Sequence, residues 1–385
     1  MQNVAQGWVI YNITNDPVAL GAMGLAFGAP MVLFPLFGGV VADRFDRLTL
    51  LKLTQTSSLL LAVVLAVLTW LGIVQFWHFF VLALLASTVL AFDNPARQAL
   101  IPDLVPREDL MSAISLNSVS FTGAQLVGPA LAGLILAAFG SDMLHAGATV
   151  FLVNAISFLA VLVPLFFIEP RHAAPRGMPQ HGSQDNPLLG GLRYVRSQPQ
   201  LMLLIGTVAV ASMFGRSFTY LLPIFARDVL AVGGEGLGWL NTAAGAGTIL
   251  AGLYLAGRGH DLSRRALIVG GVVGLTAAIY GFALSHSYGL SLALLGIAGA
   301  ASTAITASVA TQIQTTVPGQ LRGRVMSLNT LCLIGLNPIG SAISASLAKV
   351  VPIQTALAVT ASAMLLYLLA TLRTTRVRRA WEAVP

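Results

Sequence analysis

Apolar segments long enough to cross a membrane recur along the whole chain. A spanning helix needs about 20 mostly apolar residues, and eleven segments meet that length. They lie at 18–42, 49–73, 76–95, 111–139, 143–168, 201–223, 235–257, 264–285, 288–316, 324–349 and 353–373. Residues 1–13 have the pattern of the second half of a twelfth span. The sequence therefore predicts an all-α membrane protein of twelve helices, with the first helix truncated at its N-terminus.

Composition agrees with this fold class and excludes several functions. Hydrophobic residues make up 56% of the chain and charged residues 9%, whereas soluble domains carry about 25% charged residues. The net charge of +7 comes from basic residues scattered over short loops, so no nucleic-acid partner is expected. Cys332 is the only cysteine, which excludes a disulfide framework and a cysteine-based metal site. No cofactor is expected.

The basic residues indicate the orientation in the membrane. When the partial span is counted as the first, alternate loops on one side contain 18 of the 21 lysines and arginines. Cytoplasmic loops carry such an excess, so this side is predicted to be the cytoplasm. The C-terminus lies on the same side.

A polar stretch at 169–200 divides the chain. It is rich in proline and glycine and reads as a cytoplasmic linker, and apolar and basic residues alternate near its end, at 188–196, as in an amphipathic helix on the membrane surface. The predicted organisation is a six-helix bundle at 1–168, the linker at 169–200, a second six-helix bundle at 201–373 and a cytoplasmic tail at 374–385.

The two halves repeat short motifs at a constant offset. Val105-Pro106 and Ser115-Leu116-Asn117 recur 212 residues later as Val317-Pro318 and Ser327-Leu328-Asn329. Parallel repeats of this kind are found in transporters whose two halves hold the substrate between them, near the middle of the membrane.

A charged loop separates the second and third spans. Residues 39–47 read Gly-Val-Val-Ala-Asp-Arg-Phe-Asp-Arg, with four charges in five positions, so the loop must lie at a water interface. The pattern resembles the loop between helices two and three of the major facilitator superfamily. A simple positive-inside anchor is the alternative interpretation. Asp46 and Leu48 depart from the family's usual residues.

Two further segments resemble the superfamily branch of enterobactin exporters and macrolide-efflux proteins. They are residues 92–105 (FDNPARQALIPDLV) and 321–328 (LRGRVMSL). In the fifth span, Gly128, Pro129 and Gly133 resemble an antiporter element, with Ala132 in place of one of its glycines. The resemblance implies a secondary transporter in the bacterial inner membrane, not an enzyme, that exports drugs or siderophores in exchange for protons.

The loop and the fourth span supply candidates for a conformational latch. We expect a cytoplasmic charge cluster that holds one state of the transport cycle, with the alternative that these charges are solvated separately. Its candidate residues are Gly39, Asp43, Arg44, Arg47 and Asp93. Gly128 and Pro129 could bend helix five, or the small residues could simply pack helices.

Polar residues on helix faces are the candidates for a substrate cavity. For each asparagine and glutamine among them, a hydrogen bond between helices is the alternative. They are Gln2, Gln6, Asn117, Gln125, Arg216, Tyr220 and Asn241.

Arg216 is the only basic residue well inside a predicted span. An ionisable residue there indicates a functional site, for an anionic or catecholate-like solute or for a gate, and snorkelling to the outer surface is the alternative. No carboxylate falls well inside a predicted span, so proton coupling rests on the resemblance alone.

The sequence also bears on other classes of membrane protein. The chain has no G-x-x-x-x-G-K-[ST] loop for an ATP-driven pump. Three alternatives remain: an uptake transporter of the same fold, a lysolipid flippase of the same fold, and a non-transporting sensor or scaffold. The expected partners are a small-molecule substrate, membrane lipid and protons, and a monomer is expected.

Overall fold

The computed structural model describes residues 1–34, 46–106, 108–140, 142–168, 187–259 and 261–373. All regular secondary structure in these ranges is helical. In chain order the helices are α1 (Gln2–Thr14), α2 (Pro17–Leu33), α3 (Arg47–Trp70), α4 (Phe76–Leu104), α5 (Leu110–Ala138), α6 (Met143–Phe167), α7 (Pro187–Ser197), α8 (Pro199–Val229), α9 (Gly233–Arg258), α10 (Arg264–Leu284), α11 (Tyr288–Thr316), α12 (Gly319–Ala348) and α13 (Ile353–Arg373).

Nine helices in the described ranges are long and apolar enough to cross a membrane: α3 to α6, α8 and α10 to α13. Helix α2 is apolar but shorter, and α9 has a sufficient length but is rich in glycine. The prediction of an all-α membrane protein is confirmed. The amphipathic segment near residue 190 forms the helix α7, whose Val195 is buried.

Most predicted spans agree with the observed helices within a few residues, and α11 and α13 coincide with their predictions. Helix α4 is the main correction, because it continues from the predicted end at 95 to Leu104. Pro95 and Pro102 lie inside it, and proline is tolerated in membrane helices where neighbouring groups satisfy the freed backbone. Asp93, near the predicted end of the fourth span, therefore lies well before the end of α4.

Helix α8 is interrupted near its middle. It is α-helical at Pro199–Val210 and Phe218–Ile224, and it forms π-helical turns at Ala211–Gly215 and Phe225–Val229. Arg216, with φ −112° and ψ −1°, and Ser217 form a short break between the first π turn and the next α-helical segment. Turns of this kind are frequent at functional sites.

The described residues form two compact units. The first contains Met1–Asn15, the described part of Leu25–Gly182, and Gly233–Gly238; in it α3 packs on α4 and α6. The second contains Asp16–Gly24, the described part of Ser183–Val232, and Trp239 onward; in it α10 packs on α11 and α13.

Candidate functional site: a charge network and an unpaired arginine

Asp93 lies in the first unit and is almost fully buried, at 3% exposure. Two side chains of α3 donate hydrogen bonds to its Oδ1, Thr54 through Oγ1 and Gln55 through Nε2, each at 2.7 Å. Arg97, one turn further along α4, donates to Oδ2 through Nη2 at 2.9 Å and Nε at 3.2 Å. Both carboxylate oxygens are therefore satisfied, which is the condition for burying a charge.

Arg47, at the start of α3, contacts a different part of α4. Its Nη1 donates to Asp103 Oδ2 at 2.8 Å and to the carbonyl oxygen of Ala99 at 2.9 Å. Arg47 and Asp93 thus both join α3 to α4, but through separate partners. The other predicted latch residues, Gly39, Asp43 and Arg44, lie outside the described residues.

The helix-five element permits a close backbone approach within the first unit. A Cβ on Gly133 would lie 2.9 Å from the Cα of Gly238, and a Cβ on Gly238 would lie 2.8 Å from the carbonyl oxygen of Pro129. A Cβ on Gly128 would lie 3.1 Å from the amino nitrogen of Met1. Such contacts are typical of helices that pack closely through small residues.

The candidate cavity residues of the first unit have different surroundings. Gln2 accepts a hydrogen bond from Asn154 Nδ2 at 2.6 Å, which joins α1 to α6. Gln6 is buried, and its Nε2 has no partner within the described ranges. Asn117 and Gln125 are exposed on α5. Gln2 therefore forms a hydrogen bond between helices, and Gln6, Asn117 and Gln125 stay candidates for the substrate cavity.

Arg216, Tyr220 and Asn241 belong to the second unit. Asn241 and Tyr220 are half-buried, and the side chain of Arg216 is exposed. The guanidinium of Arg216 forms no hydrogen bond or ion pair with any residue that the structure describes. An arginine at the centre of a membrane helix costs roughly 2.5–3.5 kcal/mol, so an unpaired one calls for a functional explanation.

The chain matches the family model described as "Transmembrane secretion effector" over residues 1–384. The protein belongs to this family. It is a major facilitator superfamily transporter. The expected fold and superfamily are thereby confirmed, and the transporter is not an enzyme.

Relatives of this transporter include proteins named for export. It is 30% identical over 66% of its length to the staphyloferrin A transporter of Staphylococcus aureus (strain NCTC 8325 / PS 47), of which the match covers 62%. It is 25% identical to the multidrug efflux pump Tap of Mycolicibacterium fortuitum and 24% identical to the enterobactin exporter EntS of Escherichia coli O1:K1 / APEC. Each match covers 90% of this chain, and 84% and 81% of those relatives. The resemblance to the exporter branch is confirmed.

A solved structure supports the fold. The bacterial homologue of the human lysosomal transporter Spinster, in an inward-facing and unoccupied conformation, superposes with a TM-score of 0.71 over 100% of this chain and 94% of that one. The identity is 17%, so the likeness concerns the fold alone.

Sequence reasoning missed the residues that hold Asp93. Their signal was the polar run from Thr54 to Ser58 in an otherwise apolar span, which marks a helix face with polar partners. No group of histidine, cysteine, aspartate or glutamate residues able to hold a metal ion occurs within the described ranges.

Proposed function

We propose that this transporter exports small molecules of siderophore-like or drug-like character across the bacterial inner membrane. Its membership of the secretion-effector family over residues 1–384 carries the proposal. The relatives named as an enterobactin exporter and a multidrug efflux pump support the outward direction and the substrate class. Alternating access of two repeats around a fixed site is the mechanism common to such folds.

The proposed orientation places the C-terminus in the cytoplasm. The excess of lysine and arginine on one set of loops supports it, because these residues accumulate on the cytoplasmic side of membrane proteins. The polar linker and α7 then also face the cytoplasm.

The proposed driving force is the proton gradient. The resemblance of Gly128, Pro129 and Gly133 to an antiporter element supports it. Of the described carboxylates, Asp93 lies deepest within a spanning helix, which makes it the first group to test as a proton carrier.

The proposed latch comprises Gly39, Asp43, Arg44, Arg47 and Asp93. Two observations support a role in fastening helices: Arg47 joins α3 to Asp103 and Ala99 of α4, and Asp93 joins α4 to Thr54 and Gln55 of α3. Packing of α3 on α4 in one state of the cycle would depend on both.

Transport into inside-out membrane vesicles tests the proposal. Vesicles from cells with and without the protein are energised, and accumulation of a catecholate chelator, a polycarboxylate and ethidium is measured. An exporter accumulates at least one of them, and a protonophore abolishes the accumulation. Accumulation only in right-side-out vesicles would indicate uptake instead, movement of a fluorescent lysolipid alone would indicate a flippase, and no protein-dependent transport would indicate a scaffold.

A further inference from the structure

Arg216 differs from the other charged residues of the second unit in its position along a helix. Those described within helices of this unit lie in the first or last two turns, where a side chain can reach the interface. Arg216 lies near the middle of the 31-residue helix α8. Its charge is therefore placed far from both helix ends, where a partner matters most.

The described part of this unit supplies partners to other arginines but not to Arg216. Arg227 Nε lies 2.7 Å from Asp228 Oδ1, and Arg264 Nη1 donates to Gln312 at 2.9 Å. No hydrogen bond or ion pair joins the Arg216 guanidinium to a residue that the structure describes. Within the described ranges, its five donors are therefore available to a bound molecule.

The backbone at Arg216 gives an independent indication that the side chain faces a polar space. Gly215 packs against Leu275 and Met364, and Ser217 is fully buried, so the helix is fixed on that side. The opposite side presents Arg216, with Tyr220 one turn further along. Non-helical backbone at membrane depth is tolerated where it is buried in protein or lines a water-filled cavity, not where it faces lipid.

We infer that Arg216 binds an oxyanion of the transported solute and makes the transporter select carboxylate-bearing or similarly anionic molecules over neutral and cationic ones. A planar guanidinium presents two parallel N–H donors that match a carboxylate, and such charge-assisted pairs are about twice as strong as neutral ones. Tyr220 offers a hydroxyl on the same side. The inference rests on the proposed function, since it names the substrate class of a transporter.

Direct binding tests the inference without transport. The full-length protein is reconstituted in phosphatidylcholine nanodiscs, which contain no anionic lipid, and titrated calorimetrically with propane-1,2,3-tricarboxylate and with its uncharged triamide. The variants are Arg216→Lys, which keeps the charge but loses the planar fork, and Arg216→Gln, which loses both. Arg227→Gln removes an arginine that already has an ion pair on the same helix, and is the matched control.

We expect the wild type and Arg227→Gln to bind the tricarboxylate more tightly than the triamide. Arg216→Gln should weaken tricarboxylate binding about 10- to 100-fold, the range for a hydrogen bond to a charged group, and Arg216→Lys should lie between. Equal tricarboxylate binding by wild type and Arg216→Gln, or no preference for the tricarboxylate in the wild type, would overturn the inference. The inference would also be overturned if an anionic phospholipid copurified with the wild type but not with Arg216→Gln, and if the wild type did not bind the tricarboxylate.

Failure of the inference and failure of the proposed function give different results. If the vesicle assay shows export but Arg216→Gln binds as the wild type does, the protein is an exporter whose substrate does not use Arg216. If the vesicle assay shows uptake while the binding preference depends on Arg216, the direction of transport is wrong and the anion site stands.

Discussion

Asp93 and Arg216 are both charged residues inside long apolar helices, and the protein surrounds them in opposite ways. Asp93 is buried and accepts hydrogen bonds from three side chains, two of them on the neighbouring helix α3. Arg216 is exposed at an interruption of α8 and has no partner among the residues that the structure describes. A satisfied charge contributes to helix packing, whereas an unsatisfied one is available to a ligand. The two sites should therefore respond differently to substitution.

Removal of the satisfied charge should have the largest effect on stability. Asp93→Ala leaves Thr54, Gln55 and Arg97 without their acceptor, and each buried donor left unsatisfied, as Thr54 and Gln55 would be, costs about 1–3 kcal/mol. We expect a clear fall in the thermal unfolding midpoint, measured by the reaction of a thiol-specific dye with the single, half-buried Cys332. Arg216→Gln, in the same assay, should leave the midpoint unchanged or raise it. A comparable fall in both variants would mean that Arg216 is also a packing residue.

The interruption that presents Arg216 should depend on Gly340 of α12. A Cβ at this position would collide with the carbonyl oxygen of Met213 in the first π turn, so the helices approach through their backbones. Gly340→Ala should cost about 1–3 kcal/mol, the usual penalty of overpacking, and should impair transport. Gly323→Ala on the same helix meets no atom within 4 Å and is the control. Wild-type unfolding and transport in Gly340→Ala would show that α8 does not need this contact.

A conservative change at the first site separates hydrogen bonding from charge. Asp93→Asn keeps an acceptor oxygen for Thr54 and Gln55 but loses the ionic attraction to Arg97, whose side chain is 45% exposed. We expect a much smaller loss of stability than in Asp93→Ala, because ion pairs with an exposed partner contribute little, about 0–1 kcal/mol. Unfolding midpoints of the two variants measure the difference. If Asp93→Asn lowered the unfolding midpoint as much as Asp93→Ala, the charge of Asp93 rather than its hydrogen bonds would account for the stability.

The smallest effect is expected at Tyr220. Tyr220→Phe removes one hydroxyl and keeps the ring, so binding of the tricarboxylate should weaken about 2- to 10-fold if the hydroxyl contacts the solute. The unfolding midpoint should not change. A loss as large as that of Arg216→Gln would make Tyr220, rather than Arg216, the main anion-binding group.

The sequence predicted the membrane class and most helix bounds, because hydropathy and length fix them. It placed the end of the fourth span too early, because Pro95 reads as a terminator in soluble helices but lies inside α4 here. Arg216 could be predicted as a site residue, since a charge inside an apolar span is conspicuous. The π turns beside it could not, because no local pattern encodes them, and the contact of the first turn with α12 joins residues far apart in the chain. The hydrogen-bond partners of Asp93 likewise come from a helix some forty residues away.

Selectivity of transport is the most direct test of the claim that the solute supplies the partner of Arg216. Inside-out vesicles with wild type, Arg216→Gln or Arg227→Gln are energised, and the initial rates of accumulation of the tricarboxylate and its triamide are compared at equal protein abundance. We expect a high ratio of the anion rate to the amide rate for the wild type and Arg227→Gln, and a ratio near one for Arg216→Gln. An unchanged ratio in Arg216→Gln would contradict it.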